Sequence, residues 1–100
     1  MRPDIAIGTP GYYAIGSDTY PITLIKNTGR VWTIQFDTFT ADKANGHNYF
    51  GHQKWLITRN PNGRTEEITW RPRWARFRPK GSDCGTIKFG QWYANQDPSF

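Results

Sequence analysis

One hundred residues suffice for one domain with a modest core and are too few for two. Only 36% of them are hydrophobic but 16% are Phe, Trp or Tyr, so large rings must do much of the burying, and no apolar run is long enough for a membrane helix or a signal-peptide core. The formal charge is +5, and the single Cys84 allows no internal disulfide and no Cys-x-x-Cys zinc spacing, which predicts a soluble chain in the reducing cytoplasm.

Leu, Met, Glu and Ala are sparse, whereas eleven Thr, nine Ile and the aromatics favour pleated, half-buried strands. Ten Gly and seven Pro are spread along the chain, as short strands joined by tight turns require. In chain order, Pro10-Gly11 predicts a turn, followed by a short strand from Tyr12 that ends at Gly16-Ser17-Asp18. Residues 20–26 alternate around Ile22 and Leu24, and Asn27-Thr28-Gly29 supplies a hairpin turn with Gly29 free to take positive φ. The return strand, 31–39, places Trp32, Ile34 and Phe36 on one face and Thr33, Gln35 and Asp37 on the other. Residues 40–52 are polar and aperiodic and read as a long exposed loop. A strand over 53–59 leads into Asn60-Pro61-Asn62-Gly63, whose Gly is expected in the left-handed region, and 64–71 returns as a hairpin partner. Pro72 interrupts, 73–78 forms a further strand or edge, and 86–89 another. The tail, 90–100, is a turn or single 3₁₀ coil with Trp92 and Tyr93 packing back. Trp32, Trp55 and Trp70 each alternate with Ile on their strand and are assigned to the core. Six or seven short strands in one domain spanning residues 1–100 predict an all-β fold, a small bent barrel like the Src-homology type or a compact sandwich.

The charge is not evenly placed. Arg59, Arg64, Arg71, Arg73, Arg76, Arg78 and Lys80 face only Glu66 and Glu67 over 59–80, so this segment holds the whole excess and the rest of the chain is neutral. From 71 to 80 there are five cations, no carboxylate, and Trp74 and Phe77 between them. Arg forks bind phosphate bidentately and an indole face stacks on a base, so Arg71, Arg73, Arg76, Arg78 and Lys80 with Trp74 form a candidate polyanion site. On a strand with Phe77 facing inward, Trp74, Arg76 and Arg78 would face outward together. The competing interpretation is that Trp74 caps the barrel while solvated Arg side chains keep a β edge from aggregating. Tyr49, in the predicted loop, is a further stacking candidate.

Catalytic patterns are weak. His47 and His52 would need Asp37 or Asp42 as a third metal ligand and match no zinc spacing, so no metal is expected. Glu66 and Glu67 are adjacent and fall on opposite faces of a strand, which excludes a paired acid and base. Cys84 has no neighbouring histidine in sequence and reads as a spare loop thiol. No phosphate loop, nucleophile elbow, RNA-recognition signature or helix-turn-helix pattern is present, and nothing calls for a cofactor. The expectation is a binding protein and not an enzyme.

Ile7-Gly8, Ser17-Asp18, Trp55 with Asn60-Pro61-Asn62-Gly63-Arg64, Trp74 with Lys80-Gly81, and the ending Tyr93 with Asp97-Pro98-Ser99-Phe100 give the chain a pattern of turns and tail. In these residues it resembles small uncharacterised accessory proteins of bacteriophages and prophages. That resemblance implies a role in the host cell, such as sequestering a nucleotide or short oligonucleotide signal of antiviral defence, binding DNA or RNA, or docking on a host protein as an inhibitor. A symmetric homodimer would bury an exposed β edge and unpaired aromatics.

Overall fold

In a computed structural model, residues 3–16, 18–41, 55–82 and 84–94 are described. Eight strands run β1 Pro10–Ile15, β2 Asp18–Lys26, β3 Val31–Phe36, β4 Thr38–Ala41, β5 Trp55–Thr58, β6 Thr65–Arg71, β7 Arg76–Pro79 and β8 Thr86–Phe89. Six of them close an antiparallel barrel in the order β1-β2-β3-β6-β7-β8, and β4 and β5 form a separate two-stranded sheet. The barrel alternative is thus the observed one, and β1 pairs with β8 to complete it.

The core follows the period of two. Ile22 and Leu24 of β2, Trp32 and Ile34 of β3, Ile68 of β6, Phe77 of β7, Ile87 of β8 and Tyr13 of β1 form one buried cluster drawn from all six barrel strands. Rings fill much of it: Phe77 meets Trp32 and Trp70 with centroids 4.9 Å away in each case, and Phe89 at 5.5 Å. A barrel this small is filled by side chains and has no lumen to spare. The β2–β3 hairpin forms as expected, with Gly29 at φ +75 and a register shift between Leu24 and Lys26. Glu66 is half-buried and Glu67 exposed, on opposite faces as predicted.

Several sequence expectations are corrected. Pro10-Gly11 is not a turn but the start of β1, paired with Thr23 and Ile22; the glycine serves close packing instead, since a Cβ on Gly11 would collide with the Lys88 carbonyl oxygen of β8. The strand predicted over 31–39 breaks at Asp37, whose N–H donates to Pro21 O at 2.9 Å, and the chain leaves the barrel as β4, so Thr40 is strand and not loop. The hairpin predicted between 53–59 and 64–71 does not form: β5 pairs with β4, and β6 pairs with β3 and β7. The turn Asn60-Pro61-Asn62-Gly63 exists, with Gly63 N–H donating to Asn60 O at 3.0 Å, but it joins two sheets. Gly63 is needed for contact rather than for a left-handed φ, since a Cβ would strike the Phe36 carbonyl oxygen. Trp55 lies outside the barrel core, half-buried against Phe39 with ring centroids 5.3 Å away. The strand predicted over 73–78 begins only at Arg76, after a turn over 72–75. Loop positions 42–52, with His47, His52 and Tyr49, and tail positions 95–100 lie outside the described residues. Among the described residues no helix is long and apolar enough to cross a membrane.

Candidate functional site

The basic segment folds into the β6–β7 hairpin. Arg71 and Arg76 pair directly across it, and the four residues between them are closed by Trp74 N–H to Arg71 O at 3.1 Å and Ala75 N–H to Pro72 O at 3.2 Å. Proline at 72 pre-sets the φ such a turn needs at its first position. Ala75 then takes φ +52, a left-handed conformation that costs an L-residue about 1–2 kcal/mol.

This turn brings the Trp74 ring near Arg78 of β7. Its indole is 50% exposed, with the Arg73 guanidinium carbon 5.4 Å and that of Arg78 5.7 Å from the ring centroid. Cations at such distances are attracted by the ring quadrupole and hold the indole in place. Arg76 is exposed, and its Nε donates to Trp74 O at 3.4 Å. Arg71 is adjacent but half-buried and tied down: Nε donates to the side-chain Oγ1 of Thr69 at 2.9 Å, and Nη2 to the carbonyls Ser82 O at 3.0 Å and Pro79 O at 3.2 Å. Arg78 is half-buried and donates from Nη1 to Gly85 O at 3.3 Å.

Of the residues singled out in sequence, the structure therefore brings Arg71, Arg73, Trp74, Arg76 and Arg78 to one hairpin. Lys80 does not join them; it lies just beyond the other end of β7 with its Nζ 3.7 Å from Glu67 Oε1. Tyr49 lies outside the described residues. Behind the hairpin the barrel mouth opens as a groove of about 610 Å³, floored by Trp70, Phe77 and Phe89 and bordered by Arg76, Lys88 and Asp4. The N-terminal segment crosses it, held by Asn27 Nδ2 donating to Ile5 O at 2.6 Å.

A closed barrel also changes how the Arg side chains are interpreted. β7 is hydrogen-bonded to β6 on one side and β8 on the other, so it is not an edge strand and needs no charges to prevent edge pairing.

Periodicity misplaced a second polar cluster. Gln35 and Asp37, assigned to the polar face of a strand, are buried under β5–β6 and the C-terminal segment. The Asp37 carboxylate accepts from Thr23 Oγ1 at 2.6 Å, Arg59 Nη1 at 2.8 Å, Asn60 N at 2.9 Å and Trp92 Nε1 at 3.0 Å. Arg59 also donates to Gln35 Oε1 at 2.8 Å. Asp37 is thus saturated by protein donors, and among the described residues no group of three His, Cys, Asp or Glu side chains gathers that could hold a metal ion. Arg59, counted with the basic segment, belongs to this structural hub. The signal that it is not free was the lone Asp37 in an otherwise uncharged strand.

Compared with protein-family models, with curated proteins and with solved structures, the chain matches none of them.

Proposed function

We propose that the protein is a noncatalytic binder of a phosphate-bearing ligand, a nucleotide or short oligonucleotide, held at the tip of the β6–β7 hairpin. The observation that carries this reading is the half-exposed Trp74 with the guanidinium groups of Arg73 and Arg78 at 5.4 and 5.7 Å from its ring. Indole faces stack on any base, and guanidinium forks match phosphate oxygens. Arginine stays protonated near neutral pH and indole only donates, so these groups hold and stack rather than exchange protons. The barrel gains little by exposing Trp74 and Arg76 at the hairpin tip. A bound nucleotide would cover the indole and give the Arg76 guanidinium a phosphate partner. The resemblance to phage accessory proteins makes nucleotide signals of antiviral defence the first ligands to try.

Isothermal titration with cyclic and linear nucleotides and a short single-stranded oligonucleotide tests the proposal. Trp74→Ala and Arg76→Gln, with circular dichroism unchanged, are expected to weaken binding about tenfold each. Wild-type affinity in both variants, or no binding by any of these anions, would remove the hairpin as the site.

A further inference from the structure

The groove at the barrel mouth is a site in its own right. Part of its lining is the N-terminal segment, Pro3 to Ala6, and backbone and side-chain hydrogen bonds pin that segment in place. Asn27 Nδ2 donates to Ile5 O at 2.6 Å, Thr9 Oγ1 to Ala6 O at 2.6 Å, and Gly8 N–H to Leu24 O at 2.8 Å. The floor is ring surface. Trp70 and Phe89 pack edge-on against the buried Phe77, at interplanar angles of 65° and 85°, and both are only half-buried, so ring area is left to the groove. The Trp70 Nε1–H is closed to water and has no acceptor among the described residues, whereas buried donors are normally paired.

The rim carries two cations, Arg76 and Lys88, and one carboxylate, Asp4, all exposed. Among the described residues none of these side chains is in an ion pair, and the hydrogen bond that Arg76 makes is a long one, Nε to Trp74 O at 3.4 Å. The rim is therefore net positive even with Asp4 counted. A second groove, of about 580 Å³, gives the contrast: Thr23, Arg59 and Trp92 line it, and all three bond to Asp37. Polar groups there hold the fold together, whereas Arg76 and Lys88 at the mouth do not. A mostly apolar cavity of this size with a few convergent polar groups is the usual form of a small-molecule site.

We infer that the barrel mouth binds a small planar aromatic anion, its ring laid on Trp70 and Phe89 and its acid group held by Arg76 and Lys88. An aliphatic acid would forgo the ring contacts, and a cation would meet a rim of its own sign. The site does not depend on the hairpin reading: Trp74 is not in its lining, and Arg76 is the residue that the two share.

Nuclear magnetic resonance titration of the isotope-labelled protein tests it, with 2-naphthoate, its neutral analogue 2-naphthalenemethanol and the saturated decahydro-2-naphthoate as probes. 2-Naphthoate is expected to bind with a Kd of about 1 mM or below and about tenfold more tightly than either analogue. It should shift the Trp70 indole N–H and the amides of Lys88 and Phe89. Phe89→Leu and Lys88→Gln should each weaken it about three- to tenfold, and Asp4→Asn should strengthen it about twofold by removing a like charge. Asn27→Ala, which frees the Ile5 carbonyl, should weaken it without touching the ligand, and Trp74→Ala should leave it unchanged. Equal affinity for the three probes, or no binding of 2-naphthoate at several millimolar, would overturn the groove site. Shifts confined to the hairpin tip and abolished by Trp74→Ala would overturn it too, while leaving the hairpin reading standing.

Discussion

Replacing Asp37 by Asn changes one atom in a side chain that is wholly buried and accepts four hydrogen bonds. Placing the new amide at the Oδ1 position would set it against both Arg59 and the Asn60 N–H, so it takes the Oδ2 position. There it opposes Trp92 Nε1, which keeps its second acceptor, Ile22 O at 3.1 Å, and Thr23, whose hydroxyl can rotate. The carboxylate charge facing Arg59 is lost in either orientation. A hydrogen bond to a charged group is worth about 1.5–3 kcal/mol, but the Arg59 side chain is 37% exposed and water recovers part of that. About 1 kcal/mol for the weakened Arg59 contact and about 1–2 kcal/mol for the opposed Trp92 donor give an expected loss of about 2–3 kcal/mol. For a domain of this size that lowers the melting temperature by about 10–20 °C. Urea denaturation of Asp37→Asn, Arg59→Met and the double variant measures it, and the pair should couple by about 1 kcal/mol or more. A loss below about 1 kcal/mol in Asp37→Asn, or additive single effects, would refute the assignment of Asp37 as the hub joining β2, β5–β6 and the C-terminal segment.

Ala75→Gly removes the left-handed strain at φ +52 and adds unfolded-state entropy, a net stabilisation of about 0.5 kcal/mol that calorimetry should register as a melting temperature about 2–4 °C higher; a lower one contradicts the strain. Gly63→Ala drives a methyl into the Phe36 carbonyl and should cost about 2 kcal/mol or more in urea unfolding, so a near-neutral variant would show that the 60–63 turn adapts freely. Burial first, and then the Glu66 carboxylate, raise the Tyr13 phenol above its ordinary pKa of 10.0. Folded and unfolded Tyr13 are then both neutral below about pH 10, and above it the unfolded phenol ionises first, so its contribution is intact below that pH and lost as pH rises. Tyr13→Phe should flatten the decline of urea midpoints as pH rises above about 10. Parallel declines in the two proteins would exclude Tyr13 as a source of alkaline instability.

What the sequence disclosed was local. The β2–β3 hairpin could be read because Asn27-Thr28-Gly29 separates two alternating runs, and the same alternation picks out Ile22, Leu24, Trp32 and Ile34 as core. Turn chemistry at Asn60-Pro61-Asn62-Gly63 was equally legible, yet it does not say which strands the turn joins. β5 finds β4, and β6 finds β3 some thirty residues earlier, because partner choice is decided by burial across the whole barrel. The basic hairpin was visible as a charge excess, whereas its neighbour Lys88 was not, since only the register of β7 on β8 sets it beside Arg76. Gln35 and Asp37 misled for a related reason: polar residues alternating with apolar ones normally face water, and here Arg59 and Trp92 cover them.

The barrel wall uses the same residue types in two opposite ways, and the contrast separates structural cations from available ones. On β2, on β3 and at the break just after β3, Thr23, Gln35 and Asp37 are sealed from water, which is tolerable because their donors and acceptors are met by Arg59, Trp92 and the carbonyls of Pro61 and Gly63. Arg59 is consumed there, Arg64 lies 4.5 Å over the Phe36 ring, and Lys80 faces Glu67. Of the four other arginines in the basic segment, all on the β6–β7 hairpin, Arg71 and Arg78 are half-buried and donate to the carbonyls of Pro79, Ser82 and Gly85, while Arg73 and Arg76 are exposed. An arrangement serving solubility alone would disperse its charges and intersperse carboxylates. A closed barrel has no strand edge at β7 for these charges to protect. Arg73 and Arg76, exposed beside Trp74, are therefore the cations that the proposed phosphate-bearing ligand would meet first.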